Sequence, residues 1–309
     1  MIKVESLVKI YGKVRALDGL SFSVPERSIF GFVGPNGAGK TTTLKILATL
    51  LLPDSGKAWV AGSEVSVEPD QVKKNLGYMP DFFGVYSNLK ANEYLEFYAR
   101  ACGTPAARAK PVAKDLLELM DLSHKAGEFV DTLSRGMKQR LCLARALVHD
   151  PPVLLLDEPA SGLDPRARIE MRELLRELST MGKTILISSH ILSELAELCT
   201  DIGIIDQGRL VASGTVDDIM QELRFGRALR VRVMAEGQRA ADLLRQCAGV
   251  SRVSWTEKSV NAAFDGGEAE MHFALKALLD GGIRVISFGE EKNSLEEVFM
   301  QVTAGGGGQ

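Results

Sequence analysis

The run GPNGAGKT, Gly34 to Thr41, sets three glycines, a lysine and a hydroxyl in the spacing GxxxxGK[ST]. Residues of these types in this order suit the grip of a polyanion. Gly34, Gly37 and Gly39, with Pro35, Asn36 and Ala38 between them, let the backbone aim several N–H groups at one point, and Lys40 adds a full charge. Thr41 and Thr42 then offer hydroxyls. Apolar IFGFV precedes the loop and TTTLKILATLL follows it, so a strand should deliver the loop to the positive end of a helix. In that setting Lys40 would hold the β- and γ-phosphates of a nucleotide and Thr41 would ligate Mg²⁺. A glycine turn without a ligand is the plainer reading, and the flanking strand and helix argue against it.

At VLLLDEP, Val153 to Pro159, an apolar strand ends in two carboxylates. Strand C-termini are where open α/β sheets meet their ligands. Alternation along a strand would send Asp157 and Glu158 to opposite faces, one toward the metal ion and one toward a water that attacks the γ-phosphate. His190 follows another apolar strand, TILISS, and its imidazole is expected in the same crevice. His124, His149 and His272 have no metal-ligand spacing and read as structural. In TLSRGMKQR, Thr132 to Arg140, Ser134 and Gly136 open a helix. Ser134 would by default cap it, and a helix start is equally an anion site.

Together these stretches resemble the nucleotide-binding subunit of an ATP-binding cassette (ABC) transporter. The resemblance covers about Met1 to Leu223 and rests on GPNGAGKT, the GYMPD region, LSRGM as the signature, VLLLDEP, and SSH with His190 as the switch, in family order. SGLDP, Ser161 to Pro165, resembles the loop that links two subunits, with Asp164 its acid. The resemblance implies ATP and Mg²⁺ as ligands, Thr41 and Asp157 on the metal, and Glu158 and His190 as the catalytic pair. It also implies a homodimer stacked head to tail, in which each ATP lies between one phosphate loop and the partner subunit's Ser134 and Gly136. Tyr11 resembles the family's adenine-stacking aromatic; a strand residue packed on its own sheet is the alternative.

The sequence departs from the family pattern in two places. Arg135 and Met137 stand where the signature has glycine and glutamine, and Arg135 would either make a charge-assisted contact to nucleotide or face solvent. Asp81 stands where the family carries a glutamine that touches Mg²⁺ or the attacking water and senses the membrane partner. Aspartate is shorter and charged, so a water-bridged Mg²⁺ contact is the preferred reading, with a loop acid outside the site as the alternative. Phe82, Phe83, Val85 and Tyr86 follow, where family members receive a coupling helix of the permease.

Positioning these groups calls for an α/β, P-loop NTPase fold of the ABC ATPase type. IKVESLVKI, LSFSV and IFGFVG read as three strands joined by turns at Gly12, Gly19 and Pro25, the first part of an antiparallel β-subdomain. Residues 88–150 carry helical periodicity and form a helical subdomain. VLLLD and TILISS flank a charged helix from Pro165 to Met181, a βαβ unit and hence a parallel sheet. IGIIDQGRLVASG reads as a hairpin. The domain boundary is expected between Leu223 and Arg227, closing an ATP-binding domain over 1–223. Residues 228–303 follow the order βαββαβ, a small ferredoxin-like α+β domain. It ends in a short helix, SLEEVFMQV, before a glycine-rich tail, 304–309, without fixed structure.

Of 309 residues, 45% are hydrophobic and 25% charged, which suits about two globular domains. A net charge of −3 lacks the basic excess of a dedicated nucleic-acid binder, and no nucleic-acid partner is expected. The longest apolar run, ILATLLL, is far short of the roughly 20 residues of a membrane-spanning helix, and no secretory signal opens the chain. A cytoplasmic protein, peripheral on the inner face of the cell membrane through a separate permease, is the expectation. Cys102, Cys142, Cys199 and Cys247 lack metal or CxxC spacing and read as reduced, buried residues. The ending SFGEEKNSLEEVFMQVT resembles those of drug, antibiotic and surface-polymer exporter ATPases, which implies export. An importer ATPase, or a soluble ABC ATPase acting on ribosomes or DNA, is the alternative.

Overall fold

Apolar Ile2 and Val4 alternate with charged Lys3 and Glu5 at the start of the first strand, and the computed structural model describes residues 1–81, 84, 88–222 and 227–291. In chain order, β1 (Ile2–Tyr11), β2 (Val14–Val24) and β3 (Ile29–Val33) lead into α1 (Lys40–Leu47); β4 (Ser55–Val60), β5 (Ser63–Glu64), α2 (Pro69–Lys74) and β6 (Leu76–Met79) follow. Next come the helices α3 (Ala91–Ala101), α4 (Ala106–Leu119) and α5 (Arg135–Ala146). The chain continues with β7 (Val153–Asp157), α6 (Pro165–Thr180), β8 (Thr184–Ser189), α7 (Leu192–Ala196), β9 (Asp201–Asp206), β10 (Arg209–Thr215) and α8 (Val216–Glu222), within which the first unit ends.

Two sheets build this unit. An antiparallel one has the order β2-β1-β4-β5, and a six-stranded one the order β10-β9-β3-β8-β7-β6. Pairing from β6 across to β9 is parallel. Every residue of β3, β7 and β8 is buried, as expected of parallel strands covered on both faces. The β9–β10 hairpin turns on Gln207 (φ 46°) and Gly208 (φ 76°), the paired positive angles that a tight two-residue hairpin turn needs.

The expected turn at Gly19 is not there. β2 begins at Val14 and runs through Gly19, where the register jumps from Leu7↔Leu20 to Val8↔Asp18. Gly19, at φ 72°, is the extra residue of a β-bulge, which bends a strand without ending it. β6 and α2 are further elements that sequence periodicity did not announce.

The chain divides into two compact units, Met1–Ile219 and a second beginning at Met220. The second contains β11 (Arg227–Val233), α9 (Gly237–Leu244), β12 (Val250–Trp255), β13 (Ser259–Phe264), α10 (Glu268–Asp280) and β14 (Val285–Glu291). Its sheet is antiparallel in the order β12-β13-β11-β14, the ferredoxin-like arrangement. Leu229, Val231, Val260 and Phe264 of the sheet bury against Ala240, Leu244, Ala274 and Leu278 of the helices. The segment expected at the domain boundary (223–226), the aromatic run Phe82, Phe83, Val85 and Tyr86, the expected closing helix and the tail lie outside the described residues.

Among the described residues no helix is long and apolar enough to cross a membrane. All four cysteines are free; Cys142 and Cys199 are buried, but Cys247 is half-buried and Cys102 is exposed. Cys102 caps the C-terminus of α3, past the stripe through which that helix packs.

Candidate functional site

The phosphate loop leaves β3 through Gly34, whose N–H donates to the Ser189 carbonyl at 3.3 Å. A side chain there would strike the Ile205 carbonyl oxygen at 2.3 Å, so only glycine fits. Gly39 takes φ 110° and lies against the Ala16 carbonyl oxygen, which a Cβ would meet at 2.7 Å. α1 starts on Gly39 with no side-chain cap and no acid in its first turn. Its leading N–H groups are therefore left to an outside acceptor. Lys40, only 7% exposed, donates through Nζ to the Gly34 and Pro35 carbonyls at 2.6 and 3.2 Å. Burial pushes its ammonium below the usual lysine range, and the carboxylates of Glu158 and Asp157 offset part of that. Asn36, Gly37 and Thr41 are exposed, Pro35 and Thr42 half-buried, and Ala38 buried.

Because β8 lies between β3 and β7 in the sheet, the ends of all three strands converge on this loop. Asp157 is 1% exposed. Its Oδ1 accepts a 2.5 Å hydrogen bond from Ser188 Oγ, while Oδ2 is buried without a hydrogen bond. Such an orphaned carboxylate oxygen beside a phosphate loop suits a hard cation. Glu158 stands one residue past β7 at φ 51°, so turn geometry, and not the strand alternation expected from sequence, sets its direction. Its N–H bonds to Ser188 Oγ and O at 3.1 and 3.2 Å. Its carboxylate lies 3.8 Å from Lys40 Nζ and 2.9 Å from His190 Nδ1. Burial pushes the Glu158 carboxyl up, and His190 and then Lys40 pull it back. Lys40, Asp157, Glu158 and His190 thus form one cluster of ionisable groups.

The remaining predicted residues sit elsewhere. Among the described residues no hydrogen bond or ion pair joins Ser134, Gly136 or Asp164 to the phosphate loop. Ser134 caps α5 by accepting from the Met137 N–H at 3.3 Å, and Asp164 caps α6 by accepting from the Ala167 N–H at 2.9 Å. Gly136 brings the two helix starts together, since a Cβ on it would lie 3.3 Å from that of Ala167. Arg135 is exposed and lays its guanidinium over Gly162, where a side chain would meet it at 2.4–2.6 Å. Tyr11 ends β1, 47% exposed, with Lys9 Nζ 5.9 Å from its ring centroid. Asp81 is exposed; it acts electrostatically on Tyr78, whose buried hydroxyl has no hydrogen bond.

Sequence reasoning passed over Ser188 and Gln139. Ser188 holds Asp157 and the Glu158 N–H at once, and the serine pair that ends the apolar run of TILISS was the available signal. Gln139, 3% exposed, donates to the Ser161 carbonyl at 3.1 Å and fastens α5 to the SGLDP loop. Nothing in its neighbours announced that.

A glycine loop between a buried parallel strand and an open helix start, with an acidic strand end alongside, defines a P-loop nucleotide hydrolase. Residues 17–161 match the ABC transporter family, and residues 214–303 match the C-terminal domain of DrrA1-3-like ATP-binding proteins. The linearmycin resistance ATP-binding protein LnrL of Bacillus subtilis is 33% identical over 98% of both chains. The daunorubicin resistance ATP-binding protein DrrA2 of Streptomyces coeruleorubidus is 37% identical over 98% of this chain and 94% of its own. A solved ATP-binding subunit of an ABC transporter, 31% identical, superposes with a TM-score of 0.65 over 72% of this chain and 92% of its own. A dimeric bacterial ABC transporter cassette, 25% identical, does so at 0.64 over 70% and 99%. The chain belongs to the ATP-binding subunits of ABC transporters: it binds nucleotide and is an ATPase.

Proposed function

We propose that two copies of this chain, stacked head to tail, close on two ATP molecules and drive a separate transmembrane permease in the direction of export. The observation that carries the catalytic part is the Glu158 carboxylate, held between Lys40 and His190 at the mouth of the phosphate loop. In this reading the backbone from Gly34 to Gly39 and the open start of α1 seat the β- and γ-phosphates, and Lys40 turns its charge onto them. Thr41 and Asp157 would hold Mg²⁺, which when bound neutralises charge on the phosphate oxygens. Glu158 takes the proton of the attacking water, and His190 fixes the carboxylate and contacts the γ-phosphate. Tyr11 stacks on adenine. Ser134 and Gly136 complete the nucleotide site of the other copy, with Asp164 beside them.

Glu158→Gln keeps the shape and removes the base, so ATP turnover should fall by roughly 10² to 10⁴. Turnover near that of the parent protein would refute the assignment. The pH profile carries the same signature. Since burial raises the Glu158 carboxyl, turnover should fall on acidification with a midpoint above the ordinary carboxylate range. The folded chain binds that proton more tightly than the unfolded chain, so stability declines as pH rises from the unfolded to the folded value. Glu158→Gln should therefore melt no lower than the parent at pH 7.

Asp81 is assigned a water-bridged contact to Mg²⁺, motivated by its place after β6, the strand that pairs with β7. Asp81→Gln should flatten the Mg²⁺ dependence of turnover, and an unchanged dependence would place Asp81 outside the site. The export direction is supported by relatives matched across both units that carry resistance names. Importer, ribosome-bound and DNA-bound alternatives have no such support. Purification from membranes together with a chain of several apolar spans, and ATP-dependent efflux by that pair in vesicles, are the expected results.

A further inference from the structure

α6 carries arginines at 168, 172 and 176, a spacing of four that lines them along one helical stripe. All three reach toward α7, the short helix that follows the switch histidine. Arg168 pairs with Glu194 at 3.0 Å, Arg172 pairs with Glu197, and Arg176 donates to the Glu197 carbonyl at 2.7 Å. Arg168 also points the other way, donating to the Leu163 carbonyl at 3.2 Å, one residue before Asp164.

Its pairing with Glu194 has an unusual form. The charges approach closely, yet Arg168 Nε and Glu194 Oε1 are buried without a hydrogen bond. Glu194 is the more covered partner, and the Arg168 side chain is about a third exposed. Its guanidinium is held at the other end by the Leu163 carbonyl, so a shift of that loop reaches Glu194 through it. The pair lines a cavity of about 30 Å³ whose walls include Glu158, Ser188 and Ser189. α7 has only five residues and opens without a side-chain cap; Leu192 and Leu195 bury it against the sheet, and the arginines of α6 hold its other side.

We infer that Arg168 and Glu194 are a positioning pair that transmits displacement of the Asp164 loop, within one chain, to His190 and its hydrogen bond with Glu158. The inference rests on the reading of Asp164 and His190 given above. When a second copy presses on the SGLDP loop, α6 draws α7 with it, and the His190–Glu158 contact already formed in the single chain shifts with them. Neither residue touches nucleotide.

Steady-state ATP hydrolysis by the full chain tests this, using Glu194→Gln and Arg168→Met, each alone and combined with His190→Ala. Either single change should lower kcat about tenfold while the KM for ATP stays within about twofold, and neither should add to the loss already caused by His190→Ala. Parental kcat in Glu194→Gln, or a loss that multiplies in full with that of His190→Ala, overturns the pair, because a merely structural contact acts independently of the histidine. Glu194→Gln preserves side-chain volume and carries the test if Arg168→Met does not fold. Should His190→Ala itself retain parental turnover, the reading of the histidine fails and the pair with it, an outcome distinct from loss in His190→Ala alone.

Discussion

The first turns of α1 and α5 both follow small residues and both belong to sites assigned to phosphate, but they are finished differently. α1 begins on Gly39 in a left-handed conformation with no capping side chain, so its leading N–H groups face outward. α5 begins on Ser134, whose hydroxyl already accepts from the Met137 N–H, and neighbouring α6 is closed likewise by Asp164. One helix start is prepared for an anion in the single chain. The other has one of its leading N–H groups taken by its own serine, whose hydroxyl keeps its proton to donate to a ligand. The difference between the two helix starts suits the proposed site completed across two copies.

The contrast can be broken from either side. The larger effect is expected at Gly39→Ala, which forces φ 110° on a residue with a Cβ and drives that atom into the Ala16 carbonyl. Nucleotide affinity of the single chain should weaken about ten- to a hundredfold, the cost of strained backbone of that kind. Unchanged affinity in equilibrium binding would show that the open helix start is not the anion seat. A smaller and different effect is expected at Ser134→Ala. Losing the cap should cost about 1 kcal/mol of stability, a drop of about 2–4 °C in melting temperature for a unit of this size. Nucleotide affinity of the single chain should stay as it was, and turnover should fall. Weaker binding by the lone variant would place Ser134 in its own chain's site and dissolve the comparison.

The same contrast explains what could be read from sequence. Backbone geometry at the phosphate loop is written in glycine spacing, because Gly34 and Gly39 have no substitute at those angles and contacts, and the motif was legible before any fold was known. Asp157, Glu158 and His190 were legible because apolar strands end on them. Their mutual arrangement was not, since the left-handed turn at Glu158 redirects a side chain that pleating was expected to aim. Gly19 misled because glycine marks a bulge as readily as a turn, and only pairing with β1 decides between them. Arg168 and Glu194 stayed hidden because a charged stripe on a helix ordinarily faces water, and its partners lie on another helix beyond a strand. Ser134 read as a cap, and a cap it is; Asp164, remarked only as the acid of the SGLDP loop, caps α6 as well.

The central claim is that each nucleotide site joins the phosphate loop of one copy to Ser134 of another, and mixed dimers test it most directly. Dimers are assembled from two differently tagged chains and isolated by both tags. If the claim holds, pairing a Lys40→Ala chain with a Ser134→Ala chain places both lesions in the same site, leaving one intact site and measurable ATPase activity. Pairing a chain that bears both substitutions with a parental chain damages both sites and abolishes activity. The reverse result, activity only in the dimer that keeps a parental chain, would show that each site is contained in a single copy and would contradict the account.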